Sequence, residues 1–194
     1  MLHFGPDFRA SGDDGFHLSL KEKHMDSQDT STPAPRLPDG RFSGRTEFID
    51  LIRQAFGAAA QLGVREFIVC DIDFDDWPLG ERAVTQALGD WSRTGRKFTM
   101  LARSYDVITR RHPRFVTWRR TWSHIVECRA SASAPNEVLP SAMWTPGWVF
   151  ERLDLQHSTG MSGYEVARRV ALKERLNERL LKSAAAFPAT TLGL

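Results

Sequence analysis

The thirty-three residues from Lys97 to Arg129, KFTMLARSYDVITRRHPRFVTWRRTWSHIVECR, leave few architectures open to this chain. Phe98, Met100 and Leu101 form an apolar run that stops at Arg103, and Ile125, Val126 and Cys128 form another that stops at Arg129. Short runs of this kind suit strands covered on both faces. Pro113 divides what lies between them, because proline inside a helix removes a hydrogen bond and collides with the preceding turn. One helix is therefore predicted over about Tyr105–Arg111 and a second from Pro113, its first position. Tyr105, Val107, Ile108, Phe115, Trp118 and Trp122 supply the inward faces, which leaves Arg110, Arg111, Arg114, Arg119 and Arg120 as a cationic outer surface. A strand, helical crossover and strand of this length make a parallel pair.

The flanking chain continues the alternation. Apolar residues recur at helical spacing from Phe48 to Leu62, with Gly63 as a left-handed stop. Val64–Ile72, VREFIVCDI, then reads as a central parallel strand. Ala83, Val84, Ala87, Leu88 and Trp91 mark another helix, closed by Gly95. Further on, Val138–Thr145 and Trp148–Leu155 are two strands around a Thr-Pro-Gly turn, expected as a hairpin at the side of the sheet. Ser162 and Glu165 have capping-box spacing for a long helix to about Ala185, and FPATTLGL follows as an extended segment. The rhythm predicts an α/β sandwich with a mainly parallel sheet over residues 41–194. Residues 1–40, rich in Asp, Ser, Thr, Gly and Pro, read as a flexible tail with an apolar patch around Phe16, Leu18 and Leu20.

With 41% hydrophobic residues, 12 Phe and 6 Trp, the 194-residue chain can fill a core. The formal charge of +2 hides an asymmetry: residues 1–40 hold four basic and seven acidic side chains, leaving about +5 on the remainder. That is mildly basic, short of a dedicated nucleic-acid binder. Cys70 and Cys128 both sit in apolar runs, which predicts buried thiols in a reducing compartment and neither a disulfide framework nor a zinc site. No apolar stretch approaches the ~18 residues of a membrane span, so a cytoplasmic protein is expected.

Two groups of side chains carry chemistry. Asp71, Asp73, Asp75 and Asp76 follow the central strand at the end where open α/β sheets place ligands. Residues two apart on a strand face the same way, so Asp71 and Asp73 have the spacing to share magnesium in a metal-dependent phosphatase or phosphodiesterase. The segment resembles haloacid-dehalogenase-type phosphatases, but Asp75 stands where a small hydroxyl residue is wanted, and no downstream Lys and acidic pair completes the set. An EF-hand is excluded, because Asp76 replaces the required glycine and Arg82 the final glutamate. A solvated acidic loop, or a cap for the next helix, is the plainer reading. The second group is Arg103, Arg110, Arg111, Arg114, Arg119 and Arg120 with His124, candidates for holding a phosphate-bearing ligand, nucleic acid or an acidic protein partner. Trp118 and Trp122 serve either core packing or base stacking, with spacing that favours the core. His112 reads as the cap before Pro113. No histidine pair has zinc-helix spacing, and no serine sits in a nucleophile elbow.

The order of elements, ARSYDVITRRHPRFVTWRRTWSHIVECR and the closing SAAAFPATTLGL together resemble one half of the phospholipase D-like superfamily, from about Phe42 to Leu194. The resemblance implies a three-layer α/β/α unit that pairs with a second half, in one chain or a homodimer, to bring together two H-x-K-x-x-x-x-D motifs. In such a site one His attacks the phosphodiester, the other protonates the leaving group, and the lysines hold phosphate oxygens. This chain lacks the motif: the matching positions hold Ser141, Met143 and Trp148, and no His is followed two residues later by Lys. The resemblance therefore implies the fold without the activity, a catalytically degenerate half acting as a binding or regulatory module without a cofactor.

Overall fold

A computed structural model describes residues 35–131 and 138–189. The expected tail up to residue 34 with its Phe16–Leu20 patch, residues 132–137 of the connecting loop and residues 190–194 lie outside the described residues.

The helical spacing of Phe48, Leu51, Ile52, Ala55 and Phe56 forms α1 (Arg45–Ala58) and buries all five side chains. The run EFIVC is β2 (Glu66–Cys70), with four of its five residues buried. It leads through an acidic turn into α2 (Arg82–Ser92) and back into β3 (Lys97–Ala102). Pro113 divides the next crossover as its chemistry requires, giving α3 (Asp106–Arg111) and α4 (Pro113–Thr121) before β4 (Val126–Ser131). β2, β3 and β4 pair parallel in sequence, the arrangement that helical crossovers produce.

The rest of the sheet differs from the expectation. β5 (Ser141–Trp144), β6 (Val149–Asp154) and β7 (Thr159–Gly163) form an antiparallel meander. β5 joins β2 antiparallel, so the predicted hairpin sits in the interior of the sheet and not at its side. With β1 (Gly40–Phe42) on β7 and β8 (Ser183–Ala185) on β4, also antiparallel, the order is β1-β7-β6-β5-β2-β3-β4-β8. The fold is α/β with a mixed sheet, but two of its seven adjacent pairs are parallel and five antiparallel, which corrects the mainly parallel expectation. The physical reason is connection length: the short turns between β5, β6 and β7 permit only antiparallel neighbours.

The capping box is not used either. Ser162 belongs to β7 and donates its hydroxyl to Pro38 O at 3.0 Å, while Glu165 is the N-cap residue of α5 (Val166–Leu181) without a side-chain cap bond. α5 stops at Leu181, four residues before the expected end, because Ser183–Ala185 pairs with β4.

Alternation along the strands divides the interior in two. Phe67, Val69, Phe98, Met100 and Phe150 join side chains of α1 to α4 in the larger cluster, rich in aromatic rings. Ile68, Cys70, Leu101, Ala142 and Val149 meet Leu172 and Leu176 of α5 in the smaller one. Both thiols are free and buried, and burial pushes the pKa of each up. Among the described residues no helix is long and apolar enough to cross a membrane.

Close approach makes Gly160 demanding: a Cβ there would collide with Glu151 O and the Phe42 ring. Gly160→Ala is expected to lose about 1–3 kcal/mol in urea denaturation. Gly57→Ala, in open space near the end of α1, is expected to gain up to about 0.5–1 kcal/mol by restricting the unfolded chain.

Candidate functional site

The turn after β2 folds around the carboxylate of Asp71, which is 2% exposed. Its Oδ1 accepts from the backbone N–H groups of Asp73 and Phe74 at 3.3 and 3.1 Å, and its Oδ2 from the Trp77 indole at 3.0 Å. Phe74, fully buried at φ 62°, turns the chain back and seats its ring against Trp77.

The remaining acceptor capacity of Asp71 goes to Arg152. Its Nη2 donates to Asp71 Oδ2 at 3.3 Å and its Nη1 to Asp76 Oδ2 at 3.1 Å, with the guanidinium 4.2 Å over the Phe48 ring. Arg45 pairs with the other oxygen of Asp76 at 3.0 Å. Asp75 pairs with Arg111, and Asp73 accepts from the Asp75 N–H at 3.0 Å. The acidic turn is thus neither a free solvated loop nor a presented metal site. Magnesium between Asp71 and Asp73 would have to displace Arg152 and the indole from a carboxylate that already accepts four hydrogen bonds. These residues do not fit the metal-dependent phosphatase reading. No group of three or more potential ligands occurs among the described residues.

Arg152 was not among the residues singled out from the sequence. A signal existed: Phe150 and Arg152 are two apart on a strand and share a face, so a core Phe150 forces a charge inward. Only the positions of Asp71 and Asp76 show that this charge is paired.

The predicted basic residues separate into distinct environments. Arg110 and Arg120 are exposed and form no ion pair among the described residues, while Arg114, also exposed, donates to Gly80 O at 3.2 Å. Arg111 is exposed and tied to Asp75. Arg103 is half-buried at the end of β3, where its backbone N–H donates to Ile72 O at 2.9 Å. Arg119 is not on the outer surface as expected: it is 6% exposed, turned toward the Phe187 ring and the Cys128 thiol. Four residues after Phe115 on α4, it lies about 40° from Phe115 around the helix axis, so it points inward with it. Trp118 is buried, its indole donating to Ser92 Oγ at 3.1 Å, which leaves it no face for a base. His124 is exposed, its ring beside that of Trp122.

His112 does precede α4, but caps nothing with its side chain. The ring is buried with Nε2 3.3 Å from Phe74 O, joining α3 and α4 to the acidic turn. Burial holds its pKa below the ordinary 6.5, opposed by the contact with Phe74 O. Of the positions that match the phospholipase D-like motif, Ser141 and Met143 are buried on β5, and Trp148 donates to Pro38 O at 2.8 Å.

No known family profile matches the chain, and no curated protein matches it. Among solved structures, TrmBL2, described as an archaeal chromatin protein with a novel mode of DNA binding, is similar with a TM-score of 0.57 and 16% identity. The match covers 82% of this chain and 57% of that one, so this chain corresponds to little more than half of its neighbour's length. At this identity the similarity is one of fold.

Removing one member of a buried ion pair strands the other. Asp71→Asn is expected to destabilise the protein by about 3 kcal/mol in chemical denaturation, since Arg152 keeps Asp76. The unfolded chain takes up a proton at His112 before the folded one does, so stability is expected to fall as pH drops below 6.5. A His112→Asn variant should show a smaller loss of stability between pH 7 and 5.5.

Proposed function

We propose that the chain is a catalytically degenerate phospholipase D-like module that holds nucleic acid through the phosphate backbone, on the outward side of α3 and α4. The observation that carries this reading is the exposure of Arg110, Arg114 and Arg120 on two successive short helices, none of them paired with a carboxylate among the described residues. Phosphate contacts from arginine give affinity without sequence readout. The burial of Trp118 argues the same way, because it withdraws an aromatic platform for reading bases. The DNA-binding description of TrmBL2 supports nucleic acid over the other phosphate-bearing ligands this surface fits.

Ser141, Met143 and Trp148 support the absence of the superfamily's chemistry, since none can serve as its histidine nucleophile, phosphate-holding lysine or aspartate. The same helices also suit an acidic protein partner, which a negative result with oligonucleotides would favour.

Anisotropy titration of single- and double-stranded oligonucleotides at about 50 and 200 mM salt tests the proposal. Three phosphate contacts are expected to weaken binding roughly 40-fold across that range. Charge reversal of Arg110 and Arg114 should weaken it at least about tenfold at the lower salt and flatten the salt dependence. Absence of binding at 50 mM salt would sink the reading.

A further inference from the structure

The turn between α4 and β4 carries an aromatic pair. Trp122 O accepts from the N–H groups of Ile125 and Val126 at 3.0 and 3.2 Å, which fixes the backbone of the turn. Trp122 is partly buried against the aromatic core, and the exposed His124 ring lies beside its indole, with centroids 5.8 Å and planes 41° apart. Trp118 is enclosed, but His124 stands in solvent on a fixed backbone. A flat conjugated ring held in this way offers a stacking face to an unpaired base of any identity.

Cations adjoin the pair. Phe98 N donates to Ile125 O at 2.7 Å, so the turn abuts the start of β3, and Arg96 N and Lys97 N donate to Arg65 O at 2.8 and 3.2 Å. Phe67, Phe98 and Val126 pair across β2, β3 and β4, and two residues before each of them stand Arg65, Arg96 and His124. The three therefore lie in one row at the ends of neighbouring strands, which are spaced by about 4.8 Å. Arg65 and Arg96 are exposed and form no ion pair among the described residues. The carboxylates of these strands are already engaged, Glu66 by Lys173 at 3.1 Å and Glu127 by Lys97 and Arg129 at 3.3 and 3.7 Å. Arg120, in the last turn of α4, connects this row to the arginines of α3 and α4.

We infer that this end of the sheet takes a single-stranded stretch of nucleic acid, with a base stacked on His124 beside Trp122 and the adjoining phosphates on Arg96 and Arg65. This rests on the nucleic-acid reading of α3 and α4 and adds to it a strand preference. Phosphates alone are met equally in a duplex, but there each base face is closed by its neighbours, and only an unpaired base can splay out to meet a ring.

Anisotropy titration of the full chain at about 50 mM salt tests it, with an oligothymidylate of about 20 nucleotides, an abasic strand of the same length and a duplex as probes. The oligothymidylate is expected to bind at least about fivefold more tightly than the abasic strand, which has the same phosphates and no stacking face. His124→Ala should abolish that difference and leave the abasic strand and the duplex unchanged. His124→Phe should restore it, which a role for the imidazole as a charge would not allow. Arg96→Glu should weaken both single strands at least about threefold, with melting curves confirming that each variant folds. Equal affinity for oligothymidylate and abasic strand, or the same loss in His124→Phe as in His124→Ala, would overturn the platform and leave the phosphate reading of α3 and α4 standing. Loss of oligothymidylate affinity in the His124 and Arg96 variants, with none on charge reversal of Arg110 and Arg114, would support the platform and remove that earlier reading. Absence of binding by all three probes would overturn both.

Discussion

A guanidinium enclosed by protein persists only when carboxylates and hydrogen-bond acceptors surround it, and Arg152 has gathered its set from distant parts of the chain. Asp71 and Asp76 come from the turn after β2, Phe48 from α1 and Ser158 from the turn before β7. The pairing joins the antiparallel meander to the parallel part of the sheet at the end where β2 to β4 terminate. It also consumes the acidic turn that would otherwise look like a cation site. A buried pair of this kind contributes little net stability over a hydrophobic substitute, but it penalises any arrangement that leaves the charge unmatched. Its main effect is to select which turn faces which strand.

Around that contact the two sides of the sheet have different compositions. The side covered by α1 to α4 is packed with aromatic rings, with Phe67, Phe98, Phe115, Trp91 and Trp118 in mutual edge or tilted contact. Tyr105 closes its end: the hydroxyl lies 2.8 and 2.9 Å from Met100 O and Arg129 O, bridging β3 and β4, and burial pushes its pKa up. Because the apolar sides of α3 and α4 are used in this packing, their exposed arginines are left outward. The other side is thinner and rests on Leu172 and Leu176 of a single helix, α5. That helix leaves a groove at its C-terminal half, where its basic side chains overhang the start of β5 and the end of β6.

Basic side chains therefore occur in two places with different physics. On α3 and α4, Arg110, Arg114 and Arg120 are exposed to solvent, where salt screens each charge. Beside α5, by contrast, Arg175 is engaged by both oxygens of the Glu151 carboxylate. The similarity to TrmBL2 is one of fold, and fold alone does not choose a ligand.

Local patterns settled much of the architecture before any contact was known. Periodicity fixed α1, β2, α2 and β3, Pro113 fixed the division of α3 from α4, and alternating strands and helices fixed the α/β class. These features are legible because each depends on residues within a turn or two of one another. The pairing of β5 with β2, the recruitment of β1 and β8, and the inclusion of Ser162 in a strand were decided by tertiary structure, because strand partners are chosen by surfaces far apart in sequence. The sites divide in the same way. Arginine-rich helices could be read directly, as could the aspartates, but whether each charge is presented or spent depends on its neighbours in space. Arg119 turns inward and Asp71 is saturated by Arg152, Trp77 and two backbone N–H groups, while Ser141 lies across from Arg152 only because β5 and β6 pair in that register.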